Sequence, residues 1–354
     1  MPAAAPPPSL AVIAAAVEAR LRRLLEGESA RWAAFDEDLQ TPMEHIGRLV
    51  LGGGKRLRPS FCHWGFVGAG GRPDDQRIVD AGAALELMHA FALFHDDVMD
   101  DAVSRRGTPT THTVFADTHA DAGWAGESRR FGEGVAILVG DLAFVMADQL
   151  LLDAPRDAWM IWNELRTELN VGQLLDIIGS VRGDRRLDKA ERICRYKSGK
   201  YTVERPLHLG AVLAAPDRSA ELLPALSAYG LPLGDAFQMR DDVMGAFGDE
   251  GVTGKPVGGD LREGKPTPLL ARAVAAANPA QRVVLDAVGS PDLDDEDIAT
   301  MQQVIVETGA LAALEAQIAA LTDEAIAAIE IAPITAGSCA ELIDLAHYVS
   351  WRDI

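Results

Sequence analysis

Aromatic residues are scarce, 6% of 354 positions, and there are three cysteines. Cys62, Cys194 and Cys339 lie far apart, with no Cys-x-x-Cys pair and no even count. That pattern argues against a disulfide framework and leaves reduced, structural thiols. Positive charge is also short: 33 Lys and Arg face 53 Asp and Glu, for a formal charge of -20. Nucleic acid is thus a poor candidate partner, because binding it depends on cations that neutralise phosphates. No stretch reaches about 18 uncharged apolar residues, the length of a membrane-spanning helix. The opening MPAAAPPPSL lacks the basic and apolar regions of a signal peptide. These absences predict a cytoplasmic protein without a transmembrane segment, carrying a disordered Pro/Ala tail over residues 1–9.

Hydrophobic residues make up 48% of the chain and alanine is abundant. With so few aromatics, that composition favours closely packed helices over a β-sandwich. Leu10 to about Leu39 carries apolar residues at helical spacing, among them Val12, Ile13, Val17, Leu21, Leu24 and Leu25. Further helical patterns run over about 76–103, 135–152, 156–180, 188–214, 219–247, 265–277, 279–289, 295–327 and 338–350, separated by Gly, Pro and Asp clusters. Two segments, 104–134 and 248–266, break the rhythm and read as loops beside a site. No repeat and no internal linker divides the rest. The expectation is an all-α fold, a single-domain bundle of roughly 10–13 helices over residues 10–354 around a central cavity.

The most informative local feature is HDDVMD, where Asp96, Asp97 and Asp100 close an apolar helical run that begins at Ala81. At i, i+1 and i+4 they share one side of a helix and repel one another unless a cation binds. A solvated acidic helix end is the plainer alternative; Mg²⁺, held by carboxylates and substrate phosphates, is the functional one. His89, seven residues before Asp96, falls at nearly the same angle on the helix. A second acid pair, Asp241 and Asp242, stands in FQMRDDVMGAFGD with Gln238 on the same side. Two such helices facing each other would cradle metal ions.

Basic clusters supply the complement: Lys55, Arg56 and Arg58 in GGGKRLRP, Arg105 and Arg106 in SRRGTPT, Lys197 and Lys200 in KSGKY, and Lys255 and Lys265. Each cluster alone is more often a solvated surface. Glycine beside lysine lets backbone approach an anion, and arginine grips phosphate oxygens as a fork. Acid pairs and bases together describe a cavity for two diphosphates, and no nucleophile elbow or activated cysteine offers a competing chemistry.

The motifs GGGKRLRP, HDDVMD, RRGTPT, KSGKY, FQMRDD and GKP-GD-REGK occur in an order that resembles the trans-isoprenyl diphosphate synthase, or polyprenyl synthetase, family from about Ala33 to the C-terminus. The resemblance is nearest to short-chain geranylgeranyl diphosphate synthases. It implies the isoprenoid synthase fold, a homodimer, and a Mg²⁺-dependent head-to-tail condensation of isopentenyl diphosphate with dimethylallyl, geranyl or farnesyl diphosphate. It also implies that Asp96, Asp97, Asp100, Asp241 and Asp242 hold three Mg²⁺ ions. Lys55, Arg58, His89 and Arg106 match positions that bind isopentenyl diphosphate. Arg105, Lys197, Lys255 and Lys265 match positions on the allylic diphosphate, and Thr202 and Gln238 match polar residues near the developing carbocation.

One departure stands out. Gly245 occupies the place where many relatives carry a third aspartate, and Asp249 could substitute if its helix continues past Gly248. Product length in such enzymes depends on where the growing tail is stopped. Phe91 matches a frequent stopper, while Ala92 and Met88 leave room, a combination that points to a C20 product. A straight helical wheel puts Phe91 almost opposite the acids, so an ordinary core or interface phenylalanine is the alternative. Farnesyl or longer synthases, a terpene cyclase and a non-catalytic regulatory subunit are the competing functions. The second diphosphate pocket argues against the cyclase, and the two standing acid pairs argue against the regulator.

Overall fold

The computed structural model describes residues 4–105, 107–248 and 257–351. Arg106, Asp249 and Lys255 lie outside the described residues. The described chain is almost entirely helical; its one sheet is a two-residue antiparallel pair, β1 (Ser104–Arg105) with β2 (Thr108–Pro109). Contacts divide it into two compact units.

One unit spans Pro8–His63 and Arg72–Arg156. It holds α1 (Pro8–Phe35), α2 (Gln40–Leu51), the start of α3 (Leu57–Gly68), α4 (Gln76–Met99), α5 (Thr111–Asp121) and α6 (Ser128–Gln149). The helix at Pro8 begins inside the expected tail. Helix α4 starts at Asp75, whose side chain caps the Arg77 amide, an interaction typically worth about 1 kcal/mol. Along it Leu85, Leu87 and Met88 are wholly buried, and each contributes roughly 1.5–3 kcal/mol by leaving water. Helices α5 and α6 pack together, and α6 packs on α4. By length and composition α4 could cross a membrane, yet 61% of its most apolar window is buried against its neighbours, as expected of a core helix.

The other unit spans Met1–Pro7, Trp64–Gly71 and Asp157–Ile354. After α7 (Arg156–Arg182) and α8 (Leu187–Cys194) comes a π-helical stretch over Arg195–Glu204, then α9 (Arg205–Ala214) and α10 (Ser219–Phe247). The remainder is α11 (Gly259–Arg262), α12 (Pro268–Ala276), α13 (Pro279–Asp286), α14 (Asp295–Glu307), α15 (Ala310–Glu330) and α16 (Ala336–Ser350). Helix α10 is the hub, packed on α15, α16, α9 and the π-helical stretch. A Cβ at Gly234 would stand 2.6 Å from the Gly199 carbonyl oxygen, so these two backbones meet only because both residues are glycine. Buried Arg240 fastens α10 to its neighbours, donating to Glu315 at 2.7 and 2.5 Å and to the Ser350 carbonyl at 2.8 Å.

Other expectations change as well. The 104–134 loop contains α5 and the first turns of α6, whose start is fixed by Glu127 accepting the Arg129 and Arg130 amides. The 295–327 helix is two helices parted at Thr308 and Gly309. Residues 40–51 and 57–68, left unassigned by periodicity, are helical.

Candidate active site

In the first unit the acids sit where α4 runs out. Asp96 is half-buried, Asp97 is 5% exposed, and Asp100 is the exposed residue just beyond the helix, its amide bonded to the Asp96 carbonyl. The next residue, Asp101, has φ +52°, a left-handed conformation that ends the helix before the β1–β2 hairpin. Carboxylates at a helix C-terminus add to the negative end of its dipole, an arrangement that favours a cation nearby.

The hairpin delivers one cation. Arg105 lies on Asp97, with Nε 2.7 Å and Nη2 2.6 Å from Oδ1, and it reaches Asp96 at 3.7 Å. Burial still pushes the Asp97 carboxyl above its ordinary range, with Arg105 opposing. Arg105, expected on the allylic diphosphate, therefore already rests against the metal-type acids.

The basic residues before α3 divide by role. Arg56, at φ +49°, is buried and spent on structure: it bonds Glu86, reaches Glu18 at 3.0 Å and donates to the Val50 carbonyl at 2.7 Å. Lys55 is exposed, and Arg58 is half-buried in the first turn of α3. His89 is half-buried two turns before Asp96. Phe91 is half-buried with its ring centroid 4.5 Å from His95 and 4.8 Å from Phe144 of α6; Ala92 is half-buried and Met88 fully so.

In the second unit KSGKY falls in the π-helical stretch, a rare conformation that often marks functional positions. Lys197 Nζ lies 2.5 Å from Asp176 on α7. Lys200 is neutralised by Glu168 and by Glu204 at 3.6 Å, so its charge serves packing. Thr202 is completely buried and its hydroxyl has no hydrogen-bond partner, the condition of a group awaiting something polar or cationic.

Asp241 on α10 is half-buried, whereas Asp242 is 3% exposed. Gln238 donates to Asp242 Oδ1 at 2.8 Å, and the Cys194 thiol lies 3.6 Å from Oδ2. Burial, reinforced by the charges of Asp260 and Asp241 and opposed by those two hydrogen bonds, raises the Asp242 carboxyl to about 8. Lys265 follows α11 and pairs with Glu263 at 2.5 Å and Asp260 at 3.6 Å.

Sequence reasoning missed Asp176 and Cys194, and it quoted Asp260 only within the GKP-GD-REGK motif, without a role of its own. Asp176 had a signal, being the one acid in the apolar run VGQLLDIIG. Among the described residues no three ligand-type side chains form a ready-made ion cage. Mg²⁺ needs none, since it takes one or two carboxylates and completes its shell with water and phosphate oxygens. The hard carboxylate oxygens of Asp96, Asp100, Asp241 and Asp242 fit such an ion.

A family profile described as polyprenyl synthetase matches residues 37–307. A geranylfarnesyl diphosphate synthase of Aeropyrum pernix is 31% identical over 306 residues, covering 84% of this chain and 89% of its own. A (2E,6E)-farnesyl diphosphate synthase of Mycobacterium bovis is 31% identical over 304 residues, covering 84% and 79%. Among solved structures, a geranylgeranyl pyrophosphate synthase of Corynebacterium glutamicum, complexed with isoprenyl diphosphate and magnesium, superposes with a TM-score of 0.91 at 36% identity, covering 97% of this chain and 99% of that one.

Proposed function

The chain belongs to the polyprenyl synthetase family, and from that membership we propose that its two acid groups act on one allylic diphosphate while Lys55, Arg58, His89 and Arg106 hold isopentenyl diphosphate. It is a prenyltransferase that condenses isoprenoid diphosphates head to tail. Its cofactor is Mg²⁺. We infer three ions, held by Asp96, Asp97, Asp100, Asp241 and Asp242.

The bound ions would supply positive charge for the diphosphate that leaves. Arg105, Lys197, Lys255 and Lys265 add their own charge to the same oxygens, so negative charge is stabilised as it develops. The allylic carbon–oxygen bond breaks with its electron pair going to pyrophosphate. Thr202 and Gln238 present oxygen atoms toward the allylic cation that remains. The isopentenyl double bond attacks that cation and forms the new carbon–carbon bond. The resulting tertiary cation loses a proton to pyrophosphate, and a double bond returns. Apolar side chains keep water from the cation meanwhile.

The observation that carries this reading is the acid group at the end of α4, unfavourably set against its helix dipole and met by a phosphate-binding type of residue, Arg105. Phe91 as stopper, with Ala92 and Met88 leaving room, supports a C20 product. A homodimer is supported by α7, where Val171, Leu174 and Val181 are 44%, 57% and 85% exposed along one face. The reaction is tested by incubating the purified chain with isopentenyl and farnesyl diphosphates and Mg²⁺, then separating products. Geranylgeranyl diphosphate and pyrophosphate are expected, and neither with a chelator. Consumption of farnesyl diphosphate without isopentenyl diphosphate would instead indicate a cyclase.

A further inference from the structure

In a chain with a formal charge of -20, four arginines gather on one open cavity of about 500 Å³. Arg182 closes α7, Arg185 and Arg186 stand in the turn before α8, Arg282 comes from α13, and Val274 of α12 adds an apolar wall. None of the four belongs to a motif of the reaction centre. Asp184 holds Arg186 at 2.8 Å and Asp286 holds Arg282 at 3.2 Å, while Asp188 and Lys189 of α8, close by, cancel each other. A surplus of positive charge is left. Arg182 is exposed, and among the described residues no carboxylate pairs with it. Arg185 is half-buried; its Nη1 donates to the Gly264 carbonyl at 3.1 Å and its Nη2 to the Val288 carbonyl at 3.2 Å, both neutral acceptors. Burial pulls the Arg185 guanidinium below its usual range, with Asp286 opposing.

We propose that Arg182, Arg185, Arg186 and Arg282 form a second anion site, separate from the acid groups, that takes a diphosphate. Guanidinium forks match phosphate oxygens, and arginines arriving from both the α7–α8 turn and α13 suit an anion with several oxygens better than a carboxylate, which one fork satisfies. A single apolar wall offers little to a prenyl tail, so the favoured form is inorganic pyrophosphate, the leaving group of the reaction above. That choice of ligand rests on the proposed function, whereas the cavity and its charge do not. Arg185 also gives the site a route to the reaction centre, because the carbonyl it holds belongs to Gly264, the residue before Lys265. Gly264 has φ +71°, and a Cβ there would stand 2.9 Å from the Gly289 Cα, so the turn is closely packed and its position depends on what holds it. An anion that draws Arg185 into the cavity competes with that carbonyl and loosens the turn that carries Lys265.

Calorimetry of the full chain with inorganic pyrophosphate, and a chelator in place of Mg²⁺, tests the site. Without metal the acid groups repel pyrophosphate, so binding reports on the bases. Arg182→Ala/Arg282→Ala removes the two exposed members, whose local pairs matter little to stability. It should weaken pyrophosphate binding at least about 10-fold, since two charge-assisted contacts are lost, whereas Arg58→Ala should leave that binding unchanged. Equal affinity in the unaltered chain and the double variant, or a loss in Arg58→Ala alone, overturns the site. Geranyl diphosphate is titrated in the same way: binding tighter than that of pyrophosphate, and lost in the double variant, keeps the diphosphate site and replaces pyrophosphate as its occupant. With Mg²⁺ and both substrates, the double variant should keep its kcat and lose the part of pyrophosphate inhibition that excess allylic diphosphate does not relieve. Identical inhibition in the two proteins overturns the route through Arg185. If pyrophosphate binds through these arginines and no prenyl product forms, the functional reading fails and the site stands. Should the double variant not fold, Arg182→Ala alone decides, because that side chain has no ion pair to lose.

Discussion

The guanidinium of Arg105 lies on the carboxylate of Asp97, with Nη2 2.6 Å and Nε 2.7 Å from the same oxygen. The pair joins the end of α4 to the β1–β2 hairpin. Asp97 is nearly buried, so its charge needs this partner. Replacing Arg105 by Ala should destabilise the metal-free protein by about 1–3 kcal/mol, the usual cost of leaving a buried polar group unsatisfied. It should also raise KM for the allylic diphosphate more than KM for isopentenyl diphosphate. Denaturant titration and steady-state kinetics check the two halves separately.

Asp242 makes stability depend on pH. Its carboxyl is raised to about 8 in the folded, metal-free chain, so the folded state binds a proton that the unfolded state releases near 4. The stabilising contribution is complete below about pH 4 and is lost as pH rises toward 8. The melting temperature of the metal-free chain should therefore fall between pH 5 and 8, with a slope from this group of at most about 1.4 kcal/mol per unit. Asp242→Asn should flatten that slope. Mg²⁺ binding at neutral pH should release a proton, measurable as a buffer-dependent heat in calorimetry.

Phe91 touches His95 and Phe144 rather than standing alone. If it stops the growing tail, Phe91→Ala should shift the product toward C25 or longer, read by chromatography of the dephosphorylated alcohols. A product of unchanged length with a lower melting temperature would assign Phe91 to packing instead.

The exposed apolar face of α7 predicts self-association. Leu174→Asp introduces a charge at its centre and should convert a sedimenting dimer to monomer with little change in helical content. A monomeric unaltered chain would contradict the dimer proposal.

Much of this was legible in the sequence because local chemistry agreed with the fold. Helix α10 has the bounds that its periodicity predicts, 219–247, despite Pro224 and Pro232 within it. The pattern placing Gln238 on the side of the second acid pair is realised as a hydrogen bond to Asp242. Helix α4 stops at Met99 rather than near 103, because Asp101 turns left-handed and the hairpin follows. Helix α5 was hidden since its Thr-, His- and Asp-rich sequence shows little amphipathic pattern, yet His112, Phe115 and His119 are buried. The bases of GGGKRLRP look alike in sequence, and only tertiary contacts with Glu18 and Glu86 commit Arg56 to structure. Asp260 stands in the GKP-GD-REGK motif, but its closeness to Gly245 is a relation of space that no periodicity announces.

The central claim is that both acid groups draw the diphosphate from its carbon skeleton, and turnover of Asp96→Ala and Asp241→Ala tests it most directly. With Mg²⁺ and both substrates at saturation, each variant should lose at least about 10³-fold in kcat while keeping its circular dichroism spectrum and cooperative melting. Near-normal kcat in either folded variant would contradict the account.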